Sequence, residues 1–303
     1  MKKTLLLSAC AIVSMAMSAQ VASEPVNIKA GAFNFDLIVE EASAVILKED
    51  LPEYAKNIPD DHNCQRVSQG CLDAFGIEGT GVPDDYANGF TTESGHAYKF
   101  MPYTGNNAIV IPSSETSISL DIAFDQPVDA SKYNTVGLIA VSHLGDYYPQ
   151  ADITLQYADG TSEVVTKEIV DWCQNPGGSY PAPLYSMNKR VRPTNGNDAQ
   201  AHIEDCNNFF HEITFPIAKN LVGINVRNNV TTKHEWGWPV IVVMAATAFQ
   251  DESSGIQQVD AAAQQASDTV YDLSGRSLST VLNPSQTLPK GLYIQNGHKF
   301  VVK

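Results

Sequence analysis

Residues 171–205 combine aromatic and basic side chains of the kinds that recognise sugars. Flat aromatic rings stack on the C–H face of a pyranose, and guanidinium groups donate hydrogen bonds to polar ligand atoms in a fixed geometry. The segment is rich in proline and glycine, which predicts a long loop, and long loops inside compact domains usually have a function. We predict that the ligand contacts are made by Trp172, Tyr180, Tyr185, Arg190 and Arg192.

A second aromatic group, Trp236 and Trp238, precedes the last apolar run. Exposed tryptophan is uncommon unless the ring meets a partner. One interpretation is a binding platform at the same end of the domain as residues 171–205. The other is a hydrophobic plug that closes that end. Trp172 also has two interpretations, because it fits in the core as well, with the arginines paired to nearby acids.

Several carboxylates and histidines in these segments are of the types that act in glycan cleavage. Glycosidases need two carboxylates that face one cleft, and lyases or esterases need a general base. The candidates are Asp171, Glu204, Asp205, Glu212 and Glu235, with His211 or His234 as the base. No spacing singles out a pair, and no nucleophile-elbow, zincin or P-loop motif is present. We therefore expect a protein without catalytic residues, with a small glycan-active hydrolase or lyase as the alternative.

A structural calcium ion is the other ligand that the sequence permits. Loop carboxylates together with backbone carbonyls form such sites, and Asp84, Asp85 and Asp125 are the potential donors. The alternative is that these are solvated surface acids.

Four cysteines follow the apolar N-terminus, and an even number in an exported chain indicates two disulfides. Cys64 and Cys71 enclose a short loop and are expected to pair, which leaves Cys173 with Cys206. The paired C-x-x-C spacing typical of structural zinc is absent.

The N-terminus has the pattern of a secretory signal peptide, to which we assign residues 1–23. Two lysines precede an apolar run at residues 5–17, which is too short to span a bilayer. Small residues place the cleavage site between Ala19 and Glu24. The cysteine of a lipoprotein-like tetrapeptide, Cys10, follows too few residues to leave an apolar core before it. No later run is long enough for a transmembrane helix.

The charge of the chain limits its partners. The net charge is −15, and removal of Lys2 and Lys3 with the signal peptide, which contains no acid, makes it −17. Nucleic acids and anionic membranes need clustered basic side chains, so both are unexpected partners.

Short strands dominate the remaining chain. Apolar–polar alternation at residues 117–123, a continuous apolar run at 135–141, a hairpin with Asp-Gly at 159–160 and a long apolar run at 240–249 predict an antiparallel β-sandwich over residues 24–249. A polar stretch at 250–267 is typical of a linker. Residues 268–303 alternate around two hairpin-type turns, Ser274-Gly275 and Asn296-Gly297, and predict a small all-β unit.

The tail resembles the C-terminal sorting domain of cargo of the type IX secretion system. The resemblance lies in Tyr-Asp-Leu-Ser-Gly-Arg at 271–276, in Leu-Pro-Lys-Gly-Leu-Tyr-Ile at 288–294 and in the basic end. It implies export across the outer membrane of a Gram-negative bacterium, with residues 268–303 engaging the outer-membrane secretion machinery.

Residues 83–249 resemble a galactose-binding-like (discoidin-type) jelly roll. The segments that carry the resemblance are Asn-Asn-Ala-Ile-Val at 106–110, Tyr-x-x-Val-Gly-Leu-Ile at 133–139, Tyr-Ala-Asp-Gly-Thr at 157–161, Asp-Trp-Cys at 171–173 and the strand that ends at Ala248-Phe249. Such modules accompany secreted glycoside hydrolases or stand alone at the cell surface. The expected function is therefore non-catalytic binding of glycan or another extracellular partner, with a purely structural adhesion protein as a further alternative.

Overall fold

Most of the chain folds into β-strands, as the alternation predicts. The computed structural model describes residues 22–51, 65–143, 150–173, 182–193, 202–233 and 237–251, with four further strands after residue 269. The elements are β1 (Ser23–Val26), β2 (Ile38–Val39), β3 (Gln65–Val67), α1 (Gln69–Phe75), β4 (Phe90–Thr91), β5 (Ala97–Tyr98), β6 (Ile109–Pro112), β7 (Ile118–Val128), β8 (Thr135–His143), β9 (Gln150–Tyr157), β10 (Ser162–Glu168), β11 (Tyr185–Val191), β12 (Ile203–Phe210), β13 (Glu212–Pro216), β14 (Leu221–Asn228), β15 (Val240–Phe249), β16 (Val270–Asp272), β17 (Ser277–Ser279), β18 (Gly291–Gln295) and β19 (His298–Val302).

Two antiparallel sheets pack face to face and confirm the predicted all-β sandwich. The first has the strand order β1-β15-β8-β13, with β6 also paired to β15, and the second has the order β10-β9-β14-β7. Alternate residues of each sheet, such as Leu138 of β8 and Ile153 of β9, meet in one apolar core. A continuous apolar run such as that at 135–141 is typical of a strand buried on both faces, and every residue of β8 is buried.

The other face of the first sheet is covered by a third layer that the sequence analysis did not predict. This layer has the order β12-β11-β3-β2 and is antiparallel except for the parallel pair of β2 and β3. Ile139 and Val242 of the first sheet pack there against Met187 of β11 and Phe210 of β12. The prediction that residues 171–205 form a loop is therefore wrong over β11 and the start of β12.

The segment at residues 60–71 was predicted to be a disulfide-tied loop, and its described part forms β3 and the start of α1. Ser68 caps the helix by accepting a hydrogen bond from the backbone N–H of Cys71 at 3.1 Å. Gly76 ends it in the left-handed region with φ of 66°, where glycine carries no steric penalty.

The sandwich begins at Ser23, one residue inside the segment assigned to the signal peptide. β1 pairs with β15, and the carbonyl of Ala22 accepts a hydrogen bond from the N–H of Gln250 at 3.0 Å. The Ser23 hydroxyl also accepts a bond from the N–H of Ala97 at 2.8 Å.

The chain divides into two units, residues 1–251 and 252–303. In the second unit four strands form one antiparallel sheet in the order β17-β16-β18-β19. The two predicted hairpin turns, Ser274-Gly275 and Asn296-Gly297, lie outside the described residues. No helix in the described portion is long and apolar enough to cross a membrane.

The buried amide of Asn107 joins the segment before β2 to the rest of the sandwich. Its Oδ1 accepts hydrogen bonds from the N–H groups of Leu37 and Ile38 at 3.0 and 2.9 Å. Its Nδ2 donates to Asp36 Oδ1 at 2.7 Å. Burial, together with the nearby Glu40 carboxylate, raises the pKa of Asp36 to about 7.

This pKa predicts a pH-dependent loss of stability. Between the ordinary aspartate pKa and pH 7 the folded chain holds a proton on Asp36 that the unfolded chain releases, so this residue's contribution to stability falls as the pH rises. We expect Asp36→Asn, which keeps the acceptor for Asn107, to become increasingly stable relative to the unmodified protein between pH 4 and pH 7. Denaturant unfolding at several pH values measures this difference. Exposed Asp50→Asn is the control, and an equal pH profile for both variants would contradict the prediction.

Candidate functional site

Trp172, the central residue of the predicted sugar site, is only 3 % exposed. The guanidinium carbons of Arg66 and Arg190 lie 4.4 and 5.3 Å from the centre of its ring. These are cation–π distances, so arginines occupy the position that a sugar would take. The structure places Trp172 in the core, which is the second of its two interpretations.

Arg190 and Arg192 belong to the same structural cluster. Their Nε atoms lie 2.5 and 2.7 Å from Glu204 Oε1, which joins β11 to β12. Arg66 is fully buried, and its Nη2 is 3.4 Å from His143 Nε2. Because a buried charge needs a partner, this network accounts for Arg190 and Glu204 without a ligand.

Of the other predicted contacts, Tyr180 and Trp236 lie outside the described residues, as do Glu235 and His234. Trp238 is half-buried in the segment before β15. The meeting of the two aromatic segments at one end of the sandwich stays a prediction.

Tyr185, the first residue of β11, does line a cleft, of about 690 Å³. Its hydroxyl donates to the carbonyl of Gly81 at 3.1 Å and its ring meets Tyr86 edge-on at 5.5 Å, which holds the ring in place. The cleft combines one aromatic ring, apolar residues, hydroxyls and two carboxylates. Its lining is Thr92, Glu93, Ser94, Ala182, Pro183, Leu184, Tyr185, Ser186 and Glu212.

Glu212, the first residue of β13, is held firmly at the wall of this cleft. Its Oε1 accepts a hydrogen bond from the Tyr98 hydroxyl at 2.5 Å and lies 2.8 Å from His96 Nδ1. Burial, together with the negative charge of Glu212, raises the pKa of Tyr98 well above its ordinary value, so the phenol keeps its proton and donates. The Glu212 side chain is 19 % exposed, which leaves it accessible from the cleft.

The hairpin of β4 and β5 positions the two groups that hold Glu212. Residues two apart in an extended chain point to the same side, so His96 and Tyr98 both reach one carboxylate. The N–H of Thr92 donates to the carbonyl of His96 at 2.9 Å and closes the turn. The His96 ring stacks on Phe249 with centroids 3.7 Å apart.

The cluster is not arranged as a Ser-His-acid triad. Ser94 Oγ lies 3.3 Å from His96 Nδ1, the same ring nitrogen that faces Glu212. A triad histidine uses one nitrogen for the nucleophile and the other for the acid. The arrangement is suited to holding a carboxylate in one orientation.

Of the carboxylates and histidines that the sequence offered as catalytic candidates, Glu212 lines the cleft beside Tyr185. Asp171 and His211 are buried, Glu204 is paired with arginines, and Asp205 extends into solvent beside Lys189. Sequence reasoning missed His96, Tyr98 and Glu93. His96 and Tyr98 lie 116 and 114 residues from Glu212 along the chain, and no local pattern links them.

The suggested calcium donors, Asp84, Asp85 and Asp125, are all among the described residues. Asp84 and Asp85 begin a short 3-10 helix, and Asp125 lies on β7. In the described ranges no three His, Cys, Asp or Glu side chains are placed to share a metal ion.

No disulfide is present among the described residues, so the predicted pairing of Cys173 with Cys206 is wrong. Cys71, Cys173 and Cys206 are free thiols, and Cys64 lies outside the described residues. Cys71 packs in an apolar cluster on α1, where burial raises its pKa to about 11. Burial, with the neighbouring Asp171, raises the pKa of Cys173 to about 12.

Comparison of the sequence with protein-family models and with curated proteins found no match.

The fit between Tyr98 and the first sheet gives a testable prediction. A Cβ on Gly137 of β8 would lie 2.5 Å from the Tyr98 hydroxyl oxygen, which is fixed by Glu212. Gly137→Ala should therefore displace Tyr98 and lower the free energy of unfolding by about 1–3 kcal/mol. Gly31→Ala is the matched control, because a Cβ there meets nothing within 4 Å. Equal stability of the two variants in denaturant unfolding would show that Tyr98 is not constrained in this way.

Proposed function

We propose that this chain is an exported, non-catalytic β-sandwich protein of the galactose-binding-like, jelly-roll type that binds a glycan in the cleft beside Glu212. The observation that carries the proposal is the fixed Glu212 carboxylate facing a cleft that also contains an aromatic ring. Sugar sites combine these two elements, a rigid polar group for hydroxyls and a ring for the pyranose face.

Each wall of the cleft has a role in this proposal. Tyr185, with Leu184 and Pro183 beside it, offers the apolar surface, and the hydroxyls of Thr92 and Ser94, which lie 2.8 Å apart, are hydrogen-bonding groups of the same cleft. The Tyr98 hydroxyl donates a hydrogen bond to Oε1 of Glu212, and His96 Nδ1 lies 2.8 Å from the same oxygen. Oε2 is then the acceptor for the ligand, and it is already oriented before binding.

The proposal that the protein is exported is supported by its two ends. Residues 1–23 have the charge and length expected of a signal peptide, and residues 268–303 resemble a type IX sorting domain in their sequence motifs. Because Ala22 and Ser23 are hydrogen-bonded into the sandwich, we propose that cleavage occurs before Ala22. The protein is then secreted or displayed at the outer cell surface.

Removal of residues 268–303 tests the export route. We expect the truncated chain to fold, since residues 1–251 form a unit of their own, and to accumulate in the periplasm. Cell fractionation with a limited-proteolysis check of folding measures both outcomes. If the truncated chain reaches the medium as efficiently as the full chain, residues 268–303 do not direct sorting.

Glycan binding is tested by removing the aromatic surface of the cleft. Tyr185→Ala should weaken binding by about 1–3 kcal/mol, the cost of losing a contact residue at the centre of an interface. Glycan-array screening followed by titration calorimetry measures the loss. Tyr133→Ala is the control, because this half-buried tyrosine bonds Glu24 and does not line the cleft. Equal affinity of both variants would exclude the cleft as the glycan site.

A second candidate function, glycoside hydrolysis, is favoured by one observation. Glu93 and Glu212 both line the cleft, and hydrolysis uses two carboxylates as acid and as base or nucleophile. Reducing-sugar release that disappears in both Glu93→Gln and Glu212→Gln would establish this function in place of binding alone.

A further inference from the structure

The cleft beside Glu212 has an unbalanced charge. Its lining contains two carboxylic acids, Glu93 and Glu212, and none of its lining residues is a lysine or an arginine. The chain as a whole has a net charge of −15. A glycan with carboxylate or sulfate groups would be repelled on approach, whereas a cationic group would be attracted.

The position of the Glu212 charge is fixed before any ligand arrives. Tyr98 is fully buried and donates to Oε1, and His96 is stacked on Phe249. Among the described residues, none donates a hydrogen bond to Oε2 of Glu212. A partly buried carboxylate oxygen that keeps its acceptor capacity is the complement of an ammonium group, whose charge-assisted bonds are about twice as strong as neutral ones.

Glu93 adds a second charge to the lining of the same cleft, on an exposed residue. It lies in the exposed turn between β4 and β5, next to Ser94. From there it attracts a cation without the burial that would make its own charge costly. The two acids therefore have separate roles, Glu93 in attraction and Glu212 in the direct contact.

We propose that the cleft selects glycans that carry a free amine, such as a hexosamine without its N-acetyl group. This inference rests on the proposed glycan-binding function and specifies its ligand. The ammonium group donates to Oε2 of Glu212, the pyranose face stacks on Tyr185, and ring hydroxyls bond Thr92 and Ser94. An N-acetylated sugar lacks the charge, and a uronate reverses it.

The test compares three oligosaccharides of equal length on the full chain, by titration calorimetry at low and at physiological salt. The probes are a glucosamine oligomer, an N-acetylglucosamine oligomer and an oligogalacturonate. We expect the glucosamine oligomer to bind about tenfold tighter than its N-acetylated counterpart, the difference that one charge-assisted hydrogen bond gives. This preference should shrink as salt rises.

Variants of Glu93 and Glu212 show which carboxylate causes the preference for the glucosamine oligomer. Glu212→Gln should abolish the preference, so that glucosamine and N-acetylglucosamine oligomers bind about equally. The glutamine amide oxygen can still accept the hydrogen bond from Tyr98, but the side chain carries no charge. Glu93→Gln should reduce the salt dependence with a smaller loss of affinity, and it tests the charge effect at an exposed residue even if Glu212→Gln does not fold. Glu168→Gln, an exposed acid on β10 outside the cleft, is the control and should keep the full preference.

The other possible outcomes contradict either amine selection or glycan binding. Equal binding of glucosamine and N-acetylglucosamine oligomers would refute amine selection and leave glycan binding intact. Failure of all three oligosaccharides to bind would refute this inference and count against the proposed function. Lysine oligopeptides that bind as tightly as glucosamine oligomers, and lose binding in Glu212→Gln, would show a site for basic peptides in place of a sugar site.

Discussion

The burial of one sheet on both of its faces is the constraint on which the rest of the structure depends. All residues of β8 and β15 are buried. A strand of this kind needs an apolar layer on each side, because either face alone would expose a large hydrophobic surface to water. The second sheet covers one side. The third layer, from β12 to β2, covers the other and brings Trp172 and its arginines against the centre of the molecule.

The candidate site is a consequence of the same arrangement. Gly137 in β8 has no side chain, and Tyr98 fills the space beside it. Glu212 pairs with Ile139 of the same strand, so the carboxylate is placed directly by the central sheet. A residue on rigid β-structure keeps its geometry more accurately than a residue on a loop. The loop-borne site that the sequence suggested would not have had this support.

The strands of the sandwich were predictable because their signal is local. The apolar run at residues 240–249 became β15 with the same bounds, and the alternation at 117–123 forms the start of β7. The third layer was not predictable in this way. β11 and β12 contain lysine, arginine, asparagine and glutamate, whose burial depends on partners in the other strand. The pairing of Glu212 with His96 and Tyr98 likewise depends on contacts between residues far apart in the chain.

The two clusters of charge show what residue type alone does not reveal about a candidate site. Glu204 forms ion pairs with Arg190 and Arg192, so its negative charge is neutralised within the protein. The neutral phenol of Tyr98 donates a hydrogen bond to Glu212 and orients the carboxylate without cancelling its charge. His96 Nδ1 lies 2.8 Å from the same oxygen and opposes that charge only when the imidazole is protonated. The arginines near Trp172 are therefore satisfied by the fold, whereas Glu212 keeps a negative charge directed at an accessible cleft. A sequence shows which residues are charged, but only the packing shows which of those charges remain for a ligand.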